Sequence, residues 1–299
     1  MAESLSSPGI ELPSPMLSAR LRELAGFLAA PMAGRLTEEQ RALSLGIARR
    51  LVADAAHLPG DAIDVSMLWG EWLEGGLPTA ARLATACYAR AEEHRWREHS
   101  AMRAIAPVSA ADESGDTPTA AAVPEMPPKV DRAYLALQIA DRRRFDARGH
   151  PRVALADADP DLLRALLGDI AAWRVLQPGK DGVSAFDPDD FVQRGLDRHS
   201  PAAGIDRAAR AYHASLATAA DVAAAAATAI AGHDWPALIA LAACEHRRPY
   251  ADMAFALLSA APAALPILLA PLRLDRAALA PLEASLAALP SRAGGEAGQ

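Results

Sequence analysis

Residues 92–99 read Glu-Glu-His-Arg-Trp-Arg-Glu-His and form the densest run of titratable side chains in the chain. On a helix, His94 and Glu98 fall four apart on one face and could share a divalent ion. The run lacks the second histidine that a His-Glu-x-x-His zinc helix places four residues from the first. The simpler reading is a solvated helix face on which Glu92, Glu93, Arg95, Arg97 and Glu98 pair with one another. An enzyme using this cluster, with bound metal, is the competing one.

A second group is His233, Cys244, Glu245 and His246. Thiolate and imidazole are both zinc ligands, but Cys244 and His246 are two residues apart, so a helix would point them in different directions. A buried thiol and a surface histidine are expected instead. His213, one helical turn beyond Arg210, and His246, just before Arg247-Arg248-Pro249, are the candidate phosphoacceptors. No Asn- and Gly-rich nucleotide-binding boxes follow them. Arg142, Arg143, Arg144, Arg148 and Arg152, with His150, form a basic cluster at the expected end of a helix. Cations there also satisfy the last carbonyls and the helix dipole, so a solvated helix end competes with an acidic-partner or phosphate site.

Other chemistries have no signature. There is no Gly-x-Ser-x-Gly elbow and no phosphate loop ending in Lys-Ser or Lys-Thr; Lys180 lies in Pro-Gly-Lys-Asp-Gly, an ordinary turn. The Asp189-Asp190 pair follows Pro188 at a helix start, where acids are favoured by the dipole alone. No catalytic residue, cofactor or metal is therefore expected. A net charge of −7 disfavours general nucleic-acid binding. The two cysteines, with no secretory leader evident, suit a reducing cytoplasm.

The elements that must position these residues are helices. Hydrophobic residues make up 52% of the chain, but much of that is alanine, the best helix former, and aromatics are only 5%. No alternating β-branched stretch predicts a strand. Thr37 and Gln40 form a capping box before Leu43, Ile47, Leu51 and Val52. Asp64 to Glu74 predicts a short helix closed by Gly75-Gly76, and Pro78 opens a long one running to Ile105. Asp159-Pro160, Asp187-Pro188, Ser200-Pro201, Thr218, Asp234 and Asp275 mark later starts. The uncharged run Met253 to Leu272 is long enough for a membrane span, but Pro262, Pro266 and Pro271 divide it into short pieces, so no span is expected.

Five parts are expected: a disordered N-terminus (1–15), an N-terminal helical module (16–106) opening on Leu17, Leu21, Leu24 and Leu28, a Pro-, Ser- and Ala-rich linker (107–129), a C-terminal repeat-like helical module (130–290), and a tail (291–299). From about residue 200 helix starts recur at the rhythm of stacked pairs. Arg35-Leu-Thr-Glu-Glu-Gln-Arg-Ala-Leu, Gly232-His-Asp-Trp-Pro-Ala-Leu-Ile-Ala-Leu and Leu274-Asp-Arg-Ala-Ala-Leu-Ala-Pro-Leu resemble an uncharacterised alphaproteobacterial family bearing a domain of unknown function. That resemblance implies HEAT-like helical repeats and carries over no catalytic residues. The expectation is an all-α, irregular or HEAT-like array acting as a non-enzymatic interaction or regulatory protein with an unidentified protein partner. Trp69, Trp72 and Trp96 are its candidate interface aromatics, with a place in the core the simpler reading for each. The alternative is a bacterial signalling component in histidine phosphotransfer or kinase regulation.

Overall fold

The structure, a computed structural model, describes residues 36–105, 132–177 and 186–289. The expected disordered N-terminus, the Leu17–Leu28 helix, the 107–129 linker, Lys180 and the 291–299 tail lie outside these residues. The protein is all-α. Among the described residues there are no strands, only an isolated bridge between Phe145 and Pro151.

The helices are α1 (Glu38–His57), α2 (Val65–Gly75), α3 (Ala80–Ile105), α4 (Arg132–Arg142), α5 (Pro160–Leu176), α6 (Pro188–Arg198), α7 (Ile205–Ser215), α8 (Ala219–Ala231), α9 (Trp235–Glu245), α10 (Tyr250–Ser259), α11 (Leu265–Leu268) and α12 (Ala280–Ala287). Their starts are local. Thr37 and Gln40 close the capping box on α1. Asp64, Asp159, Asp187, Thr218 and Asp234 each accept backbone amides at the head of α2, α5, α6, α8 and α9. Ser200 and Asp275 make no side-chain cap and precede 3-10 turns instead. Gly76, with φ +97°, takes the left-handed conformation that ends α2. The run from Met253 to Leu272 is broken as its prolines dictate, into the end of α10, two 3-10 turns and the four-residue α11. No described helix is long and apolar enough to cross a membrane.

Two hydrophobic cores form, and the 107–129 segment does not separate them. The first takes α1, α2 and the first half of α3 and closes them with α5 and α6: Leu51, Leu68, Trp72 and Leu83 meet Leu163, Leu166, Ile170 and Phe191. The second gathers Trp96 from the same α3 with α4 and α7 to α12. The first core draws on residues from both sides of 107–129. A short amphipathic helix cannot bury its apolar stripe alone: α5 and α6 pack on each other, and α5 also lies against α1.

Helix α9 is the axis of the second core, with every residue from Trp235 to Ala243 buried. A helix apolar all round must be surrounded, and α4, α7, α8 and α10 surround it. Small side chains allow close approach elsewhere too. A Cβ on Gly195 of α6 would lie 2.7 Å from Leu167 Cδ1 of α5. Trp69, Trp72 and Trp96, offered above as interface aromatics, are all buried. Trp96 stacks on Trp235 with ring centroids 4.8 Å apart and donates its indole N–H to Ser285 Oγ at 2.6 Å. Trp96→Phe should keep most of the stacking and lose that hydrogen bond, lowering stability by about 1–2 kcal/mol in a denaturant titration.

Candidate functional site

The charged run on α3 is not a solvated face. Glu92, Glu93 and Arg95 are buried, with Glu93 only 1% exposed; Glu98 alone of the expected face stands in solvent. It is buried because other elements bring counter-charges onto it from both sides. Two networks result.

In the outer one, Glu92 Oε1 accepts from Gln40 Nε2 of α1 and from Arg95 Nη1, each at 2.9 Å, while Arg95 Nε donates to Glu39 at 3.1 Å. In the inner one, Arg144, just past α4, grips Glu93 with both terminal nitrogens at 2.8 and 2.6 Å. Arg97 grips Asp141 of α4 in the same fork geometry, both contacts at 2.7 Å. Arg90 adds a contact of 3.6 Å to Glu93 and donates to the Arg144 and Arg152 carbonyls at 3.0 and 3.3 Å. Asp157 lies 3.7 Å from Arg144 Nε and accepts the Ile205 amide at the head of α7 at 2.6 Å. Aromatic rings close the cage: Arg144 sits 4.8 Å from the Tyr250 ring centroid, and Arg90 and Arg97 sit 4.8 and 5.4 Å from that of Phe145.

Arg90, Arg97 and Arg144 face Glu93, Asp141 and Asp157, so the inner network is neutral. Burial alone would raise the Glu93 carboxyl, but the charges of Arg144 and Arg90 outweigh it and hold it at about 2. Burial also opposes charge on Arg144 and Arg97; Glu93 in one case and Asp141 in the other more than restore it, raising both guanidinium groups above their ordinary value. Arg90 is less well served. Its Nη1 has no hydrogen-bond partner, and burial together with Arg144 pushes it down to about 10. His94 is pushed down to about 4, first by burial and then by Arg90 and Arg97, so the imidazole is neutral near pH 7. Its Nε2 is 3.3 Å from Glu98. An acid so low and a histidine so low are poorly matched to proton transfer at neutral pH. Among the described residues no group of three or more His, Cys, Asp or Glu side chains is arranged to hold a metal ion.

The basic cluster divides three ways. Arg144 goes into the inner network. Arg152 pairs with Asp54 of α1 at 3.3 Å and donates to the Arg143 carbonyl. Arg148 and His150 ride an exposed turn organised by Asp146, whose Oδ1 accepts both their amides. Arg142, the last residue of α4, and Arg143 after it stay exposed. The histidines are elsewhere: His213, near the end of α7, has Nε2 2.7 Å from Glu245, and His246 has Nε2 2.6 Å from the Leu268 carbonyl. Arg143 reaches Ala203 before the head of α7, so the length of that helix separates the arginines from His213. They do not converge. Burial raises the Cys87 thiol to about 12 and the Cys244 thiol to about 11, leaving both protonated.

The residues missed at the sequence level are Asp141, Asp157, Tyr250 and Ser285. Asp141 carried one usable signal, since it lies four residues after Leu137 on the apolar face of α4, where an acid needs a partner. A shallow groove of about 390 Å³ between the end of α5 and the start of α6, lined by Ala172, Val175, Leu176 and Val192 among others, is separate from the network.

Comparison of the chain with family models, curated proteins and solved structures finds no match.

Proposed function

We propose that the chain acts by binding other proteins, as a non-enzymatic scaffold or regulatory element built from a HEAT-like array of short helices. One observation carries this reading: the most reactive-looking residues of the sequence are consumed in tying helices together, while α4 and α7 turn unpaired arginines outward. The inner network joins α3, α4, the 155–157 turn and α10 into one frame, which is the task of a rigid support. The phosphotransfer alternative requires an accessible imidazole nitrogen. In both His213 and His246 Nε2 is engaged, one by a carboxylate that would repel a phosphoryl group, which weighs against that nitrogen as the acceptor.

The test is affinity capture of the tagged full chain from a native lysate of its source organism, at moderate salt, with light scattering of the purified protein. A stoichiometric protein partner or a defined self-assembly is expected. Finding neither would remove the reading. Incubation with autophosphorylated histidine kinases should give no acid-labile phosphate on the chain; label on His213 or His246 would restore the alternative.

A further inference from the structure

We propose that the outer face of α4, with its neighbour α7, is a docking surface for an acidic amphipathic helix of a partner protein. This rests on the protein-binding reading and names the chemistry of the partner. The exposed residues of α4 are Arg132, Leu135, Ala136, Ile139 and Arg142, with exposed Arg143 directly after its end. Their spacing of three and four puts them on one side of the helix, opposite the buried Leu137, Ala140 and Asp141. Leu135 and Ile139 are 45% and 55% exposed, one turn apart, with arginine at each end of the stripe.

Helix α7 runs antiparallel beside α4, since Tyr134 meets Tyr212 at one end and Arg143 meets the Ala203 carbonyl at the other. Its exposed residues include Arg207 and Arg210. Arg132, Arg142, Arg143, Arg207 and Arg210 enter no ion pair among the described residues, although acids outnumber bases 37 to 30 in the chain. The helix dipole accounts for Arg142 and Arg143 at the end of α4. It does not favour Arg132, which lies in the first turn.

Charge selects the occupant. A second copy presenting the same face would set arginine against arginine. A phosphate backbone would satisfy the guanidinium groups but leave Leu135 and Ile139 uncovered, and this face of α4 has no aromatic ring for a base to stack on. A helix with apolar residues one turn apart, flanked by Glu or Asp, meets both demands: the aliphatic pair is covered and each carboxylate can accept a guanidinium fork. Arg132 and Arg142 are ten residues apart, about 15 Å along the axis, so the flanking acids of the partner should be separated by roughly two to three turns.

Fluorescence anisotropy of the full chain with a labelled 18-residue Leu/Glu amphipathic peptide tests this. The comparison probes are a peptide of the same residues in shuffled order, a single-stranded oligodeoxynucleotide and phosphatidylglycerol vesicles. The ordered peptide should bind at least about tenfold more tightly than the shuffled one, and more weakly as salt rises. Leu135→Ser with Ile139→Ser, and separately Arg132→Glu with Arg142→Glu, should each weaken it about tenfold or more while circular dichroism and thermal midpoint stay near those of the parent. Equal binding of both peptides, stronger binding to the oligonucleotide or vesicles, or unchanged binding by the variants would overturn the proposal. Lysate capture with light scattering separates the two claims. A partner kept equally by the parent and both variants refutes this face and leaves protein binding standing, whereas neither a partner nor a defined self-assembly for any form refutes protein binding itself.

Discussion

Glu93→Gln should lower the free energy of unfolding by about 3–5 kcal/mol, the largest loss expected of any single polar substitution in the chain. The change is nearly isosteric, so packing is conserved. What it removes is the one negative charge held by both Arg144 and Arg90 in a site 1% exposed, leaving two buried guanidinium groups short of compensation. Equilibrium denaturation in urea reads the effect as a shift in midpoint. Two companions make the interpretation specific. Glu39→Gln removes a contact to Arg95 from the half-exposed end of the outer network and should cost no more than about 1 kcal/mol. Glu93→Gln combined with Arg144→Met removes both charges of the strongest fork and should recover part of the loss, because an apolar replacement of a whole buried pair is often tolerated. A Glu93→Gln loss below about 1 kcal/mol would mean that the network is not what holds these helices together.

The second large effect is on acid. His94 has its folded pKa depressed from 6.5 to about 4, so below pH 6.5 the unfolded chain takes up a proton that the folded chain resists. Its contribution is therefore complete at pH 7 and disappears as pH falls from about 6.5 to 4. We expect a loss of about 2 kcal/mol over that interval, less than the full shift implies because Glu98, 3.3 Å from Nε2, favours the protonated ring. Glu93 adds a second acid phase: its stabilisation is present above pH 4.5 and is lost as pH falls toward 2. Asp157, raised by burial against the pull of Arg144, acts in the opposite sense and softens this second phase. The charged groups bearing on His94 are Arg90, Arg97, Glu93 and Arg50 along with Glu98, and the arginines keep their charge throughout. His94→Gln should flatten the pH 6.5 to 4 part of the stability profile while leaving the lower part in place. An unchanged slope would assign the acid loss to other groups.

The elements were legible in the sequence because helix starts are local events. Thr37 with Gln40, and Asp or Thr before α2, α5, α6, α8 and α9, act within three residues of themselves, so reading them requires no knowledge of the fold. The placement of the charged run was not legible, for a reason of the same kind. Whether Glu92 to Arg97 face water depends on Gln40, Asp141, Arg144 and Tyr250, whose contacts with them span 44 to 157 residues. Its composition is that of an exposed salt-bridged helix, and only the partners distinguish the two. The 142–152 arginines were misleading as a group: adjacency in sequence put Arg144 inside, Arg152 on α1, and Arg142 and Arg143 outside. Composition also gives no sign that α5 and α6 share a core with α1, α2 and α3, because that contact joins residues about a hundred positions apart.

Helix α3 belongs to both cores, giving Leu83 and Cys87 to one and Trp96 to the other. A single rod gripped at both ends transmits loss at either end to the other, so the two cores should melt as one cooperative unit. The same rod makes the stretch between residues 105 and 132 a poor place to divide the gene. Fragments made on either side of it would each carry the torn half of two interiors, and neither is expected to fold as the whole chain does.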